Sequence, residues 1–397
     1  MSAHKSMISD FPWDDRYRLL DTDDVLTPAL LLYPAIVASN IDCTLRLLGG
    51  NADRWRAHIK TAKLSCTLRQ LLEHGVRNFK CATTLELLTA CECGATDVLV
   101  AYPVMGANAR RVRDIADRFP AVRISVLVEH EQQARQWTGA RVGVFIDINP
   151  GMNRTGIDQA RIAEVIQLMR AVRDAKLDFR GLHYYDGQYG HADEPQRTLA
   201  AHSGYARLMN LVTEIQREGF AVPELVTAGT PTFPCSLTYG GFREAGLVHR
   251  VSPGTIVYCD ATCMAQLPRD YGYTPAALVL TRVVSQPSRE IVTCDAGHKS
   301  VSADAGVPTC AVVGHPEIIP LSPSEEHLPL QVISEQAPHL GDTLFLVPRH
   351  VCPTVNNFDS ALLVRGGQIE SVEKVSARGR EMPLLDSPRL SGALQVR

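Results

Sequence analysis

Eight short, continuous apolar runs, alternating with amphipathic stretches, constrain this chain more than any other feature. The runs cover residues 55–60, 77–81, 97–101, 122–128, 142–148, 179–184, 224–228 and 248–251. Between them, segments such as 66–74, 84–93 and 162–175 repeat their apolar residues at helical spacing. Strands that are apolar throughout are buried on both faces, and helices between them make the crossovers that parallel pairing requires. Eight such units predict an (α/β)8 barrel of the TIM type rather than an open sheet.

After about residue 265 the texture changes. The runs 276–284, 290–293, 343–347, 361–364 and 368–375 read as strands, broken by Pro, Gly and Ser clusters and with no convincing helix between them. They predict a second, mostly antiparallel β domain. The early run 29–33 has two placements: it opens the barrel, or it pairs with the β domain. The organisation expected is an N-terminal segment 1–25, a barrel domain 26–264 and a β domain 265–397.

Charge and composition narrow the function classes. A formal net charge of −3, with no long basic run, argues against a nucleic-acid surface and against docking on anionic membranes. No run is long and apolar enough for a membrane span. The polar start, with Asp14, Asp15 and Arg16, does not fit a signal peptide, so a cytoplasmic protein is expected. Eleven scattered cysteines, an odd number, read as reduced thiols. Cys91 and Cys93, with no further ligand motif nearby, read as helix packing.

Four segments can carry chemistry. In Arg56-Ala57-His58-Ile59-Lys60-Thr61, alternate residues share a strand face, and Lys60 falls at the carboxyl end of the first barrel strand, where barrel enzymes keep catalytic groups. A desolvated lysine there can form Schiff bases; taken alone, the segment reads first as a solvated strand-end lysine. Asn153-Arg154-Thr155-Gly156 puts an arginine at the mouth, able to pair with a phenolate or carboxylate or simply to mark a turn. Gly229-Thr230 and Gly254-Thr255 follow the last two barrel strands, where small residues free N–H groups for a phosphate; ordinary turns would also use them. In Pro348-Arg349-His350-Val351-Cys352-Pro353, an extended chain would turn His350 and Cys352 to one side as two ligands of a catalytic ion, or leave a buried thiol near a loop histidine.

Taken together and in this order, the H-x-K-T, N-R-T-G and H-x-C-P-x-V-N segments resemble the family of D-threonine aldolases and D-serine dehydratases, fold-type III pyridoxal enzymes related to alanine racemase. The resemblance runs from Thr27-Pro28-Ala29-Leu30 to Val355-Asn356. It implies pyridoxal 5'-phosphate on Lys60, which is also the base at Cα, with Arg154 at the phenolic oxygen and Tyr185 against the cofactor. It implies phosphate contacts from Gly229, Thr230, Gly254 and Thr255, and Ser252 facing the pyridine nitrogen where racemases carry arginine. It also implies His191 near the substrate β-hydroxyl and a divalent metal on His350 and Cys352, with zinc favoured over manganese or magnesium because a thiolate is soft. A homodimer acting on small D-amino acids is implied as well. This chain departs from the family's R-P-H-x-K-T-H-K pattern at Ala57 and Ala62.

The activity expected is β-elimination from a D-3-hydroxy amino acid to a keto acid and ammonia, since H-x-C resembles the dehydratases. The alternative is aldol cleavage to glycine and an aldehyde. More remote readings are a racemase, with Tyr271 or Tyr273 as a second base from a partner subunit, and a non-catalytic pyridoxal-phosphate carrier.

Overall fold

The segment Gly143–Asn149, GVFIDIN, is buried at all seven positions. A run of that kind satisfies its backbone only inside a sheet covered on both faces, and here it lies mid-way in a ring of parallel strands. The structure is a computed structural model that describes residues 15–244, 246–333 and 337–384; residues 1–14 of the expected N-terminal segment and 385–397 of the expected β domain lie outside the described residues.

A first strand, β1 (Ala29–Leu32), precedes the ring. The ring itself is built from β2 (Arg56–His58), β3 (Asn78–Cys81), β4 (Asp97–Val100), β5 (Arg123–Val128), β6 (Gly143–Asn149), then β8 (Asp178–Tyr184), β9 (Glu224–Thr227) and β10 (Val248–Val251), with the two-residue β7 (Ile157–Asp158) added to the end of β6. Every neighbouring pair is parallel. A parallel bridge between Trp55 and Val251 brings the two ends together, which makes eight strands and a barrel. All eight expected runs are strands. The helices between them bury one stripe each; in Ile162–Asp174 it is Val165, Ile166, Leu168, Met169 and Val172, the spacing of one helix face.

Gly181 is a position where the barrel demands glycine. Its φ is +147°, and a Cβ there would stand 1.9 Å from the carbonyl oxygen of Glu224. The register with β6 shifts at the same point, so that Arg180 and His183 both turn inward.

The remaining strands are β11 (Ala277–Ser288), β12 (Ile291–Cys294), β13 (Cys310–Val312), β14 (Ile318–Pro320), β15 (Leu328–Val332), β16 (Thr343–Pro348), β17 (Ser360–Arg365) and β18 (Gln368–Lys374). Together with β1 they form a second sheet, in the order β14-β15-β12-β11-β1-β17-β18, with β16 joining β11 to β13. β1 pairs antiparallel with β11 and parallel with β17, which settles the placement of 29–33 in favour of this sheet. Strands β13, β14 and β15 were not expected: they are short, and Pro320 and Pro329 interrupt the last two. A helix, Val351–Asn356, also interrupts this region.

The barrel interior is layered, as in TIM barrels generally. One layer is ionic: Arg56, fully buried, donates to Glu224 at 2.9 and 3.1 Å and to Asp97 at 2.7 Å, and Arg180 donates to Asp97 at 3.1 Å. Leu99, Leu127, Phe145 and Val226 form an apolar plug of their own. His58, Lys80, Asp147 and His183 follow toward the carboxyl ends of the strands, beneath the mouth.

Candidate active site

Chain geometry carries Lys60 past the end of β2. His58 is the last strand residue, and the Lys60 backbone N–H donates to its Nδ1 at 3.3 Å. Lys60 is therefore half-buried in the turn at the barrel mouth, and Arg56, two turns of the pleat below, serves the ionic layer instead.

One pocket gathers most of the residues singled out from the sequence. Lys60, Tyr185, His191, Gly229, Thr230, Ser252, Gly254, Thr255 and His350 all line it, together with His58, Asp260 and Gln266. Arg154 stands beside it with its guanidinium 4.7 Å from the centre of the Tyr185 ring. Cys352 lies just behind the wall, 3.0 Å from Thr61 Oγ1 and 3.6 Å from Thr255 Oγ1. Residues from both ends of the chain thus converge, since the β-domain segment 348–352 reaches back over the barrel: the Asp260 carboxylate accepts from the Val351 N–H at 2.9 Å.

The His350–Cys352 segment is not extended, as the sequence reading assumed. His350 is the extended residue that enters the helix Val351–Asn356, and Cys352 lies in its first turn. The two side chains still meet. His350 Nδ1 is 2.6 Å from Asp304 Oδ2, and its side chain also hydrogen-bonds that of Cys352. Burial works against charge on both groups, but the thiolate and the carboxylates of Asp304 and Asp260 push His350 up to about 9. Burial raises the Cys352 thiol, yet the His350 bond and the charge of Lys60 outweigh it and hold the thiol below its ordinary value. Both shifts run toward an imidazolium beside a thiolate, a pairing in which a soft divalent ion can take the place of the shared proton. No group of three or more metal-ligating side chains occurs among the described residues, so such an ion would keep open positions.

The cofactor side is equally specific. Ser252 Oγ is buried in the wall with no hydrogen-bond partner, a polar atom that lacks what a ligand would supply. Gly254 packs so closely that a Cβ would come within 2.3 Å of the His58 carbonyl. The segment that carries Tyr185 is anchored by the buried Asp186 carboxylate, which accepts from Tyr205 Oη at 2.6 Å and from Thr232.

Tyr271 and Tyr273 do not enter this pocket; Tyr273 is buried and bonds Thr44 at 2.9 Å. All eleven cysteines are free, and Cys91 is buried in its helix. The sequence reading missed Lys80, Asp147 and His183. Their one signal is a polar residue at an inward position of an otherwise apolar strand.

Comparison with known proteins agrees with this arrangement. The model for the alanine racemase N-terminal domain matches residues 35–262, and the model for the putative serine dehydratase domain matches 276–364. The chain is 28% identical to a D-threonine aldolase of Arthrobacter sp, covering 89% of this chain and 93% of that one. It is 28% identical to a 3-hydroxy-D-aspartate aldolase of Paracoccus denitrificans (strain Pd 1222), covering 91% and 94%. Among solved structures, D-threonine aldolase from Filomicrobium marinum superposes with a TM-score of 0.81 at 27% identity, over 89% of this chain and 96% of that chain. The chain belongs to the alanine racemase N-terminal domain family, in the branch that adds a serine dehydratase domain and includes the D-threonine aldolases.

Proposed function

We propose that this chain is a pyridoxal 5'-phosphate- and metal-dependent lyase that eliminates water from D-3-hydroxy amino acids, giving a keto acid and ammonia. The observation that carries the proposal is that Lys60, the buried unpartnered Ser252 hydroxyl and His350 share one pocket, with Cys352 beside His350 just behind its wall. The residues present fit both groups. Lys60 would hold the cofactor aldehyde, Arg154 its phenolic oxygen, Ser252 its pyridine nitrogen, and Gly229, Thr230, Gly254 and Thr255 its phosphate, with Tyr185 against the ring. His350 and Cys352 would hold the ion, for which the thiolate favours zinc over manganese or magnesium.

When bound, the cofactor supplies an electron sink for charge at Cα and the ion supplies a Lewis acid for the β-hydroxyl. Lys60, once its amine is free, takes the α-proton. Arg154 and Tyr185 hold the reacting plane in place, and the β-domain segment around Val351 closes one side of the pocket against water.

Aldol cleavage to glycine and an aldehyde is the second reading. His191, exposed and lining the same pocket, is a base for the β-hydroxyl in that case, and the relatives at 28% identity are named aldolases. Purified protein reconstituted with pyridoxal 5'-phosphate and zinc is to be given D-serine and D-threonine, with keto acid and glycine measured separately. Keto acid as the main product supports elimination; glycine with acetaldehyde from D-threonine assigns cleavage instead.

The same reading includes a homodimer, a cytoplasmic setting, and the division into a barrel domain (26–264) and a β domain (265–397). No helix among the described residues is long and apolar enough to cross a membrane.

A further inference from the structure

Lys80 is the buried group that the reaction, as described, does not use. It is 2% exposed, on β3 opposite His58. The other buried cations of the barrel strands are matched: Arg56 with Asp97 and Glu224, Arg180 with Asp97. Lys63, just beyond β2, pairs with Glu86. Among the described residues, Lys80 has no carboxylate partner of its own. Its Nζ is 3.4 Å from His183 Nε2, and His183 Nδ1 is 2.7 Å from Asp147 Oδ1. Because Nδ1–H donates to Asp147, Nε2 keeps its lone pair and accepts from Lys80.

The surroundings disfavour charge on this amine. His58 and Arg56 on β2, Lys60 in the turn above and Arg154 beyond β6 are all basic; His183 is on β8; the Tyr185 ring centre is 5.9 Å away; Asp147, one ring removed, is the lone acid among them. Burial first, then repulsion from Lys60, Arg56 and Arg154, brings the amine down to about 7 against the pull of Asp147. An apolar side chain would fill the same space without the desolvation cost, so stability gives no reason for a lysine here.

We propose that Lys80 is a positioning residue: an amine that gains and loses its charge directly beneath the pocket and so sets the electrical field around Lys60 and whatever is joined to it. The inference rests on the reading that Lys60 carries pyridoxal 5'-phosphate. Lys80 touches neither substrate nor reacting atoms, and its effect passes through the field and through the Asp147–His183 pair that holds it.

The test is a pH titration of cofactor absorbance in the full-length holoenzyme, from about pH 5 to pH 9, spanning the lysine's lowered range. Wild type is expected to show a spectral step near neutrality. Lys80→Met, and Lys80→Gln as a second neutral variant, are expected to lose that step and keep the alkaline-form spectrum. Lys80→Arg is expected to lose it too and stay in the acid-form spectrum, since arginine does not release its proton. Asp147→Asn removes the one nearby acid and is expected to move the step to lower pH by about one unit. A step that persists unchanged in both neutral variants overturns the proposal while leaving the cofactor in place. A wild-type protein that forms no chromophore at all overturns the cofactor reading, and this proposal with it.

Discussion

Replacing Arg56 by methionine tests whether the ionic layer of the barrel is what holds β2, and with it the turn that carries Lys60. The guanidinium is completely buried and makes three side-chain bonds, two to Glu224 and one to Asp97. Removing one partner of a buried ion pair typically costs about 3–5 kcal/mol, because the remaining charge is left in a poor solvent. Here both carboxylates keep a second cation, Asp97 through Arg180 at 3.1 Å and Glu224 through Arg250 at 2.5 Å. Methionine also fills much of the vacated volume. The expected loss is therefore at the lower end, about 3 kcal/mol, read from guanidinium unfolding curves followed by tryptophan fluorescence. Adding Glu224→Gln to Arg56→Met removes one stranded charge and is expected to recover part of that loss.

The pH dependence carries a sign. Burial pushes the Asp97 carboxyl up, but the charge and hydrogen bond of Arg56, with Arg180 and Arg123 behind them, outweigh it and hold the group below its ordinary value. A depressed carboxylate contributes stability above its unfolded value, about 3.9, and loses that contribution as pH falls through the folded value. The deficit of Arg56→Met should accordingly shrink as the pH drops below about 4. A deficit under about 1 kcal/mol at neutral pH, or a double variant no more stable than the single one, would refute the reasoning.

Two further outcomes bear on the pocket. Gly254→Ala places a methyl group 2.3 Å from the His58 carbonyl, which is backbone and must move, carrying the end of β2 with it; cofactor affinity measured by fluorescence titration should fall by at least about tenfold, or about 1.4 kcal/mol. Cys352→Ser replaces a soft sulfur ligand by a hydroxyl; zinc retained after chelator dialysis should fall by about two orders of magnitude, since a soft ligand is lost, and unchanged retention would remove the metal site from this pair.

Much of the fold was legible because buried parallel strands leave an unambiguous mark. Residues 142–148 have no other stable setting than a doubly covered sheet, and the same logic located all eight barrel strands. Strands β13 to β15 left no such mark. They span three to five residues, and in β14 and β15 proline replaces part of the apolar pattern. The pocket residues drawn from motifs come together because each follows a strand end, where register fixes direction. His350 and Cys352 meet for a different reason from the one expected: a helix start rather than a pleat turns them toward each other. Lys80 and His183 were hidden because a charge inside an apolar strand says only that it faces the interior. Which layer it occupies depends on closure of the barrel, and on a register shift at Gly181 that the sequence does not announce.

The most direct measurement is borohydride reduction of the protein loaded with pyridoxal 5'-phosphate, followed by peptide mass spectrometry. A reduced pyridoxyl adduct on the peptide containing Lys60, and absent from a Lys60→Ala control, is the predicted result. An adduct on Lys80 or any other lysine, or none in a correctly folded sample, would contradict the account.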